Sequence, residues 1–381
     1  MMQPTVRIPT IDPMPLPGPV WLMLTLLLVT FTLHVLFMNA AFGGGLWTLF
    51  NLIRGRSDEH PYSRRLSQEL ARMLPVLLAF TITLGVAALL FVQVLYGQFL
   101  YSSSILIGSV WICVIPLVIL AYYGYYYVSG TTDQPRRSTI VAAAFSVACL
   151  ATIGFIFTNN MTLMLRPDRW IEMYRAHPAG WHLNLGEPLV YPRYLHMMVG
   201  AIAVFSAILA HIGMLKAKSD AGYGYWIVKR GAQVYALCAG LQFILGMWLL
   251  LSVPRPVMLA FLRAPLPASI FGVALVTVIS SIFLMLIGSS GERPNAMVHA
   301  GMGMMVITLA LMIVLRHLLR QAFLGPYLQW DSMQVRSQTS VILLFVVLFV
   351  AGLGTVGYML AQLARASRRG NQVRNVGSSG V

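Results

Sequence analysis

Residues 193–215 read RYLHMMVGAIAVFSAILAHIGML. After Arg193 the run holds no Asp, Glu, Lys or Arg, and its only polar rings are His196 and His211. About 20 apolar residues rising 1.5 Å each cross the hydrocarbon core of a bilayer. A strand there would leave backbone groups unpaired in lipid, so the run reads as a transmembrane helix. Eight further segments qualify on the same ground, which predicts an all-α integral membrane protein of about nine transmembrane helices. The nine spans are expected at 19–50, 73–100, 104–128, 138–164, 193–215, 232–253, 267–288, 296–319 and 339–364.

Composition agrees. Of 381 residues 58% are hydrophobic and 10% charged, with mean hydropathy +0.76, against about 25% charged in soluble domains. The net charge of +15 does not point to nucleic acid, because the basic residues sit in short loops where they set topology and meet anionic headgroups. Sixteen of the 26 Lys and Arg, including Lys216, Lys218 and Lys229, fall on one side. That bias predicts an outer N-terminus and a cytoplasmic C-terminus. Residues 1–18 are expected to form an outer segment, 19–365 a transmembrane helical domain, and 366–381 a disordered basic tail. The first span is too long for a cleaved signal and reads as an anchor in a multi-pass protein of the cell inner membrane. Cys113, Cys149 and Cys238 lie in apolar runs without a CxxC or CxxCH pattern and read as small buried residues.

Five histidines lie in or at the ends of spans: His34, His196, His211, His299 and His317. Polar rings in lipid are functional candidates by default, and imidazole is a common axial ligand of haem iron. His196 and His211 share the fifth span, roughly 22 Å apart along a helix, and His299 and His317 share the eighth, roughly 27 Å apart on nearly one face. The two spans run in opposite directions, so His196 and His317 fall toward one surface and His211 and His299 toward the other. Two stacked bis-histidine haems would use that arrangement. The alternative is packing or interfacial histidines. Met297, Met302 and Met198 are candidate thioether ligands. The stretch 166–192, RPDRWIEMYRAHPAGWHLNLGEPLVYP, is expected either to cap a site at the outer face or to form an aromatic interfacial loop.

At these residues the chain resembles subunit I of the cytochrome bd-type quinol oxidases. LTLLLVTFTLHVLFMNAAFG (24–43) resembles that family's first helix, which carries a histidine ligand of a high-spin haem b, and His34 falls at that place. FTITLGVAALLFVQVLYGQFLY (80–101) and ATIGFIFTNNMTLMLRP (151–167) are similar to its second and fourth helices. YPRYLHMMVGAIAVFSAILA (191–210) is similar to the helix whose histidine ligates the low-spin haem b, matched by His196. The resemblance implies a methionine as that haem's other ligand. AMVHAGMG (296–303) is the nearest match, offering Met297 or His299, although in the eighth span rather than the seventh.

The departures bear on chemistry. None of the eleven Asp and Glu lies within an expected span, and Gln93 and Ser109 stand where the family has buried glutamates. The family's long quinol-binding loop is replaced by PRPVMLAFLRAPLP (254–267). Oxygen reduction consumes protons, which a buried site must receive through a polar relay. The expected function is therefore a diverged, bd-like cytochrome b subunit holding one to three haems b. It would exchange electrons between membrane quinol and a partner redox protein, such as a cytochrome c or multihaem complex, with lipid and other complex subunits as further partners. Glu187, Glu172, His177 and His182 are candidate acceptors of quinol protons. The alternatives are a true quinol oxidase, and a haem-free transporter or structural subunit.

Overall fold

A computed structural model describes residue 8 and residues 15–330, 333–355 and 357–358. Contacts divide the chain into two units, Leu24–Gln329 with Met1–Asp12, and Pro13–Met23 with Trp330–Val381. The long helices are α1 (Val20–Arg54), α2 (Pro61–Leu106), α4 (Val114–Thr131, led by the single turn α3, Gly108–Trp111), α5 (Arg137–Leu163), α7 (Val190–Lys216), α8 (Ala221–Ser252), α10 (Pro265–Ser290) and α11 (Met297–Leu324). Two short helices lie in loops, α6 (Trp170–Ala176) and α9 (Arg255–Arg263). Eight segments are long and apolar enough to cross a membrane, with α3 and α4 counted as one. A ninth, shorter apolar helix, α12, spans Thr339–Thr355. The protein is a multi-pass helical membrane protein. The expected ninth span runs past the described residues, and the expected outer segment lies largely, and the basic tail wholly, outside them.

Short connections make chain neighbours antiparallel partners: α7 packs along α8, α10 along α11 and α4 along α5, and α11 also reaches α7. Lipid tails are as apolar as side chains, so close backbone approach and interhelical hydrogen bonds hold such a bundle. A Cβ on Gly231 of α8 would meet Ser206 O of α7 at 2.8 Å, so only glycine permits that approach. Polar ties cross the apolar interior. Trp47 Nε1 donates to Ser206 Oγ at 2.9 Å, Tyr125 Oη to Ala41 O at 2.9 Å, and Tyr235 Oη to Ser281 Oγ at 2.6 Å. Ser281 Oγ donates onward to Gly301 O at 2.7 Å. In the second unit, Leu16 and Val335 form an isolated parallel bridge, and Gln338 N donates to Pro17 O at 2.7 Å.

Two helices outrun the expected spans. α2 begins at Pro61 rather than 73 and α8 at Ala221 rather than 232. Hydropathy ends where lipid ends, but a helix continues into water when its polar residues find partners. Here Glu69 takes Lys216 Nζ at 3.0 Å, Arg65 at 3.3 Å and Tyr223 Oη at 2.8 Å, while Arg65 also reaches Asp220 at 2.6 Å. Asp220 caps α8 by accepting from Tyr223 N, and Arg65 holds its carboxyl below the usual range. We call this end of the bundle the basic face, and the opposite end, covered by residues 164–189, the capped face.

Candidate functional site

The cap is built on Arg166. Its guanidinium binds Glu187 at 2.6 Å and Asp168 at 2.8 Å, and it holds the Asp168 carboxyl below its ordinary value. Glu187 is 6% exposed, a buried carboxylate made tolerable by that pairing. Trp170 Nε1 donates to Leu163 O at 3.0 Å, and its ring meets Phe99 of α2 edge-on. Gly180, at φ 68°, turns the chain where a Cβ would come within 2.9 Å of Gly108 N. Ser109 Oγ anchors the turn by donating to Ala179 O at 2.8 Å. The rings of His177 and His182 lie 4.5 Å apart with their planes tilted by 30°, and burial, then the charge of His177, lowers the His182 imidazole. The stretch thus packs onto the ends of α2 and α3.

Beneath the cap, inside unit 1, lies a group that sequence reasoning missed. Arg193 of α7 and Arg316 and Arg320 of α11 are close enough to repel one another. Among the described residues none of the three forms an ion pair, although Glu187 exerts an attraction on Arg193. Their visible partners are neutral: Thr162 Oγ1 at 3.1 Å for Arg193, the Phe31 ring at 4.5 Å for Arg316, and the Tyr96 ring at 4.9 Å for Arg320. Arg320 is 5% exposed. Arg316 keeps an exposed surface. The signal in the sequence was two arginines four residues apart in an apolar run, RHLLR at 316–320. Such residues mark function by default.

Three of the expected histidines lie toward this group. The charge of Arg316 reaches both His34 and His317. His34 Nδ1 donates to Thr81 O at 2.9 Å, which fixes the ring and turns Nε2 away as a lone-pair donor. Metal-binding imidazoles are commonly oriented by such a bond. Gly85 makes room for the ring, since a Cβ there would stand 2.8 Å from His34 Cε1. His317, although near a helix end, is buried, and its Nδ1 has no hydrogen-bond partner. His196 Nδ1 is likewise buried without a partner, and the ring faces Gly246 of α8, where a Cβ would sit 3.6 Å from Cε1. Gln242 Nε2 secures the backbone beside it by donating to His196 O at 2.9 Å.

The expected pairings resolve differently at the two faces. His211 and His299 do meet, Nδ1 to Nδ1 at 3.0 Å with rings edge to face. A bis-imidazole haem needs two bonds of about 2 Å on opposite sides of a porphyrin plane, hence about 4 Å between nitrogens. This pair therefore does not have the geometry of stacked haem ligands. His196 and His317 share no hydrogen bond or ring contact among the described residues. Met297 opens α11 at the basic face, is 43% exposed, and sits two residues from His299. Since His299 touches His211, both are roughly 22 Å along α7 from His196, out of reach as its axial partners.

The fold can be compared with known proteins. A chain in the structure of the bd oxidase from Geobacillus thermodenitrificans superposes with a TM-score of 0.71 at 13% identity, covering 92% of this chain and 99% of that one. The helical arrangement is thus bd-like. No family model matches the sequence, and no curated protein does.

Proposed function

We propose that this chain is a haem b electron-transfer subunit that exchanges electrons between membrane quinol and a partner redox protein. The observation that carries the reading is the group of three arginines without paired carboxylates beside His34 and His317. Arg320 is buried, and a buried charge without a carboxylate partner costs several kcal/mol, so the group calls for an anion. A b-type haem brings two carboxylates and an iron that takes imidazole, so one ligand answers both the arginines and the histidines. Bound there, it would supply reversible one-electron exchange.

The chain's own groups then have defined tasks. His34 offers Nε2 while Thr81 O holds its Nδ1 proton, and His196 offers a nitrogen in a slot shaped by Gly246. His317 is the remaining candidate on this side. Arg193, Arg316 and Arg320 would bind the propionates by charge-assisted hydrogen bonds. The cap excludes water above them. Of the cap residues offered as proton acceptors, Glu187 and Glu172 are engaged by Arg166 and Arg169. The adjacent imidazoles of His177 and His182 are therefore the acceptors we assign to quinol protons. Glu69, the carboxylate within α2, belongs to the network at the basic face. A carboxylate relay for oxygen reduction is not evident among the described residues, which favours passing electrons on to a partner, such as a cytochrome c.

The test is a pyridine haemochromogen and a reduced-minus-oxidised spectrum of purified protein, its His34→Ala and its His196→Ala variants. We expect haem b in the wild type and the loss of about one haem in each variant. Colourless wild-type protein, or unchanged haem in both variants, rejects the reading.

A further inference from the structure

The pair at the basic face is unused by the site above. His211 lies five residues before the end of α7, and His299 is the third residue of α11, so both rings are near water at the bilayer surface. They come from helices packed against each other. Their nearest nitrogens converge at 3.0 Å with ring planes at 72°. Behind them stands an apolar wall that includes Ala207, Ala210, Met285 and Val298.

We propose that His211 and His299 form a transition-metal site suited to Zn2+, completed by water from the basic face. Two imidazoles bound to one zinc at about 2.0–2.1 Å, with tetrahedral angles, place their nitrogens roughly 3.3–3.4 Å apart. The observed pair reaches that edge by opening a few tenths of an ångström, well within side-chain freedom. Both imidazoles are good ligands only when neutral. Water or a ligand from a partner subunit would fill the remaining corners of the tetrahedron. A metal there would tie α7 to α11, the helices whose far ends carry Arg193 and His196, and Arg316, His317 and Arg320.

Zinc binding is read without reference to haem, so its failure and the failure of the haem reading are distinguishable. Full-length protein stripped with chelator is titrated with Zn2+ against a fluorescent zinc chelator, and melted with and without zinc. We expect one zinc per chain, a rise in the melting midpoint, and roughly tenfold or greater weakening in His211→Ala and in His299→Ala. The double variant should be no weaker than the singles, because both residues serve one site. His211→Asn keeps a hydrogen bond to His299 without a strong ligand. It should keep the zinc-free melting midpoint and lose the zinc response, which separates ligation from folding. Wild-type protein that takes up no zinc overturns the proposal. So does binding that survives both alanine variants, or binding abolished only by His177→Ala and His182→Ala.

Discussion

The fit of His34 against α2 can be tested by a single methyl group. In Gly85→Ala the new Cβ would stand 2.8 Å from His34 Cε1 and 2.9 Å from Nδ1. Ordinary carbon contacts are about 3.5–4.0 Å, so the ring must retreat by roughly 0.7–1 Å. The Nδ1 to Thr81 O bond, now 2.9 Å, would then lie beyond hydrogen-bond reach. The loss is about 0.5–1.5 kcal/mol for the bond and about 1–3 kcal/mol for overpacking, against roughly 1 kcal/mol gained from alanine's helix propensity. The net expectation is a destabilisation of about 1–3 kcal/mol. Gly97, on the same helix, is the control: a Cβ there meets nothing within 4 Å, so Gly97→Ala should be neutral or stabilising by up to about 1 kcal/mol. Thermal melts of both variants in one detergent give the difference, and a haem-loaded sample adds the haem content. If Gly85→Ala melts with Gly97→Ala and keeps the wild-type spectrum, the ring is not seated as described.

Ser281→Ala removes the acceptor of Tyr235 Oη and the donor to Gly301 O together, joining α8, α10 and α11. It should cost about 1–3 kcal/mol, and Tyr235→Phe with Ser281→Ala should cost less than the two singles summed; additive melts would show that the hydroxyls do not act together. The cap should loosen in acid in two steps. His182 has a lowered folded value, so its contribution is full above the ordinary 6.5 and is lost as pH falls through that lowered value. Asp168 behaves likewise below 3.8, its contribution lost as pH falls through its own lowered value. Hydrogen exchange of residues 164–189 would report both, Arg166→Gln should abolish the lower step, and protection that stays flat through acid would contradict the sign.

Most of the helical architecture was legible because lipid makes hydropathy a direct reading of environment. The misplaced starts of α2 and α8 fall where that reading stops: Arg65 and Glu69 look like loop residues until Lys216, Asp220 and Tyr223 supply partners from distant sequence. Depth along a helix was legible too, since counting residues put His211 and His299 at one face. Their direct contact was not, because it depends on how α7 rotates against α11. Met297 is a related case. A short motif similarity carries no information on depth, and the helix rise places it far from His196. The arginines were hidden differently. Counted as topology signals, Arg193, Arg316 and Arg320 looked interfacial, and only the packed helices show that they face one another.

That convergence constrains the haem-free protein as well as the loaded one. The three guanidiniums repel one another, and Arg320 does so from a buried position. Glu187 acts on Arg193, and Arg166 already engages that carboxylate at 2.6 Å. A bundle of this kind gains from any dianion that enters between α7 and α11. The gain is largest for a flat ligand that also occupies the imidazoles of His34 and His317, because one binding event then relieves repulsion and satisfies His317 Nδ1. On the proposed reading, ligand binding and bundle stability are therefore the same free energy seen from two sides. The arginines, more than the histidines, decide whether the empty protein holds together.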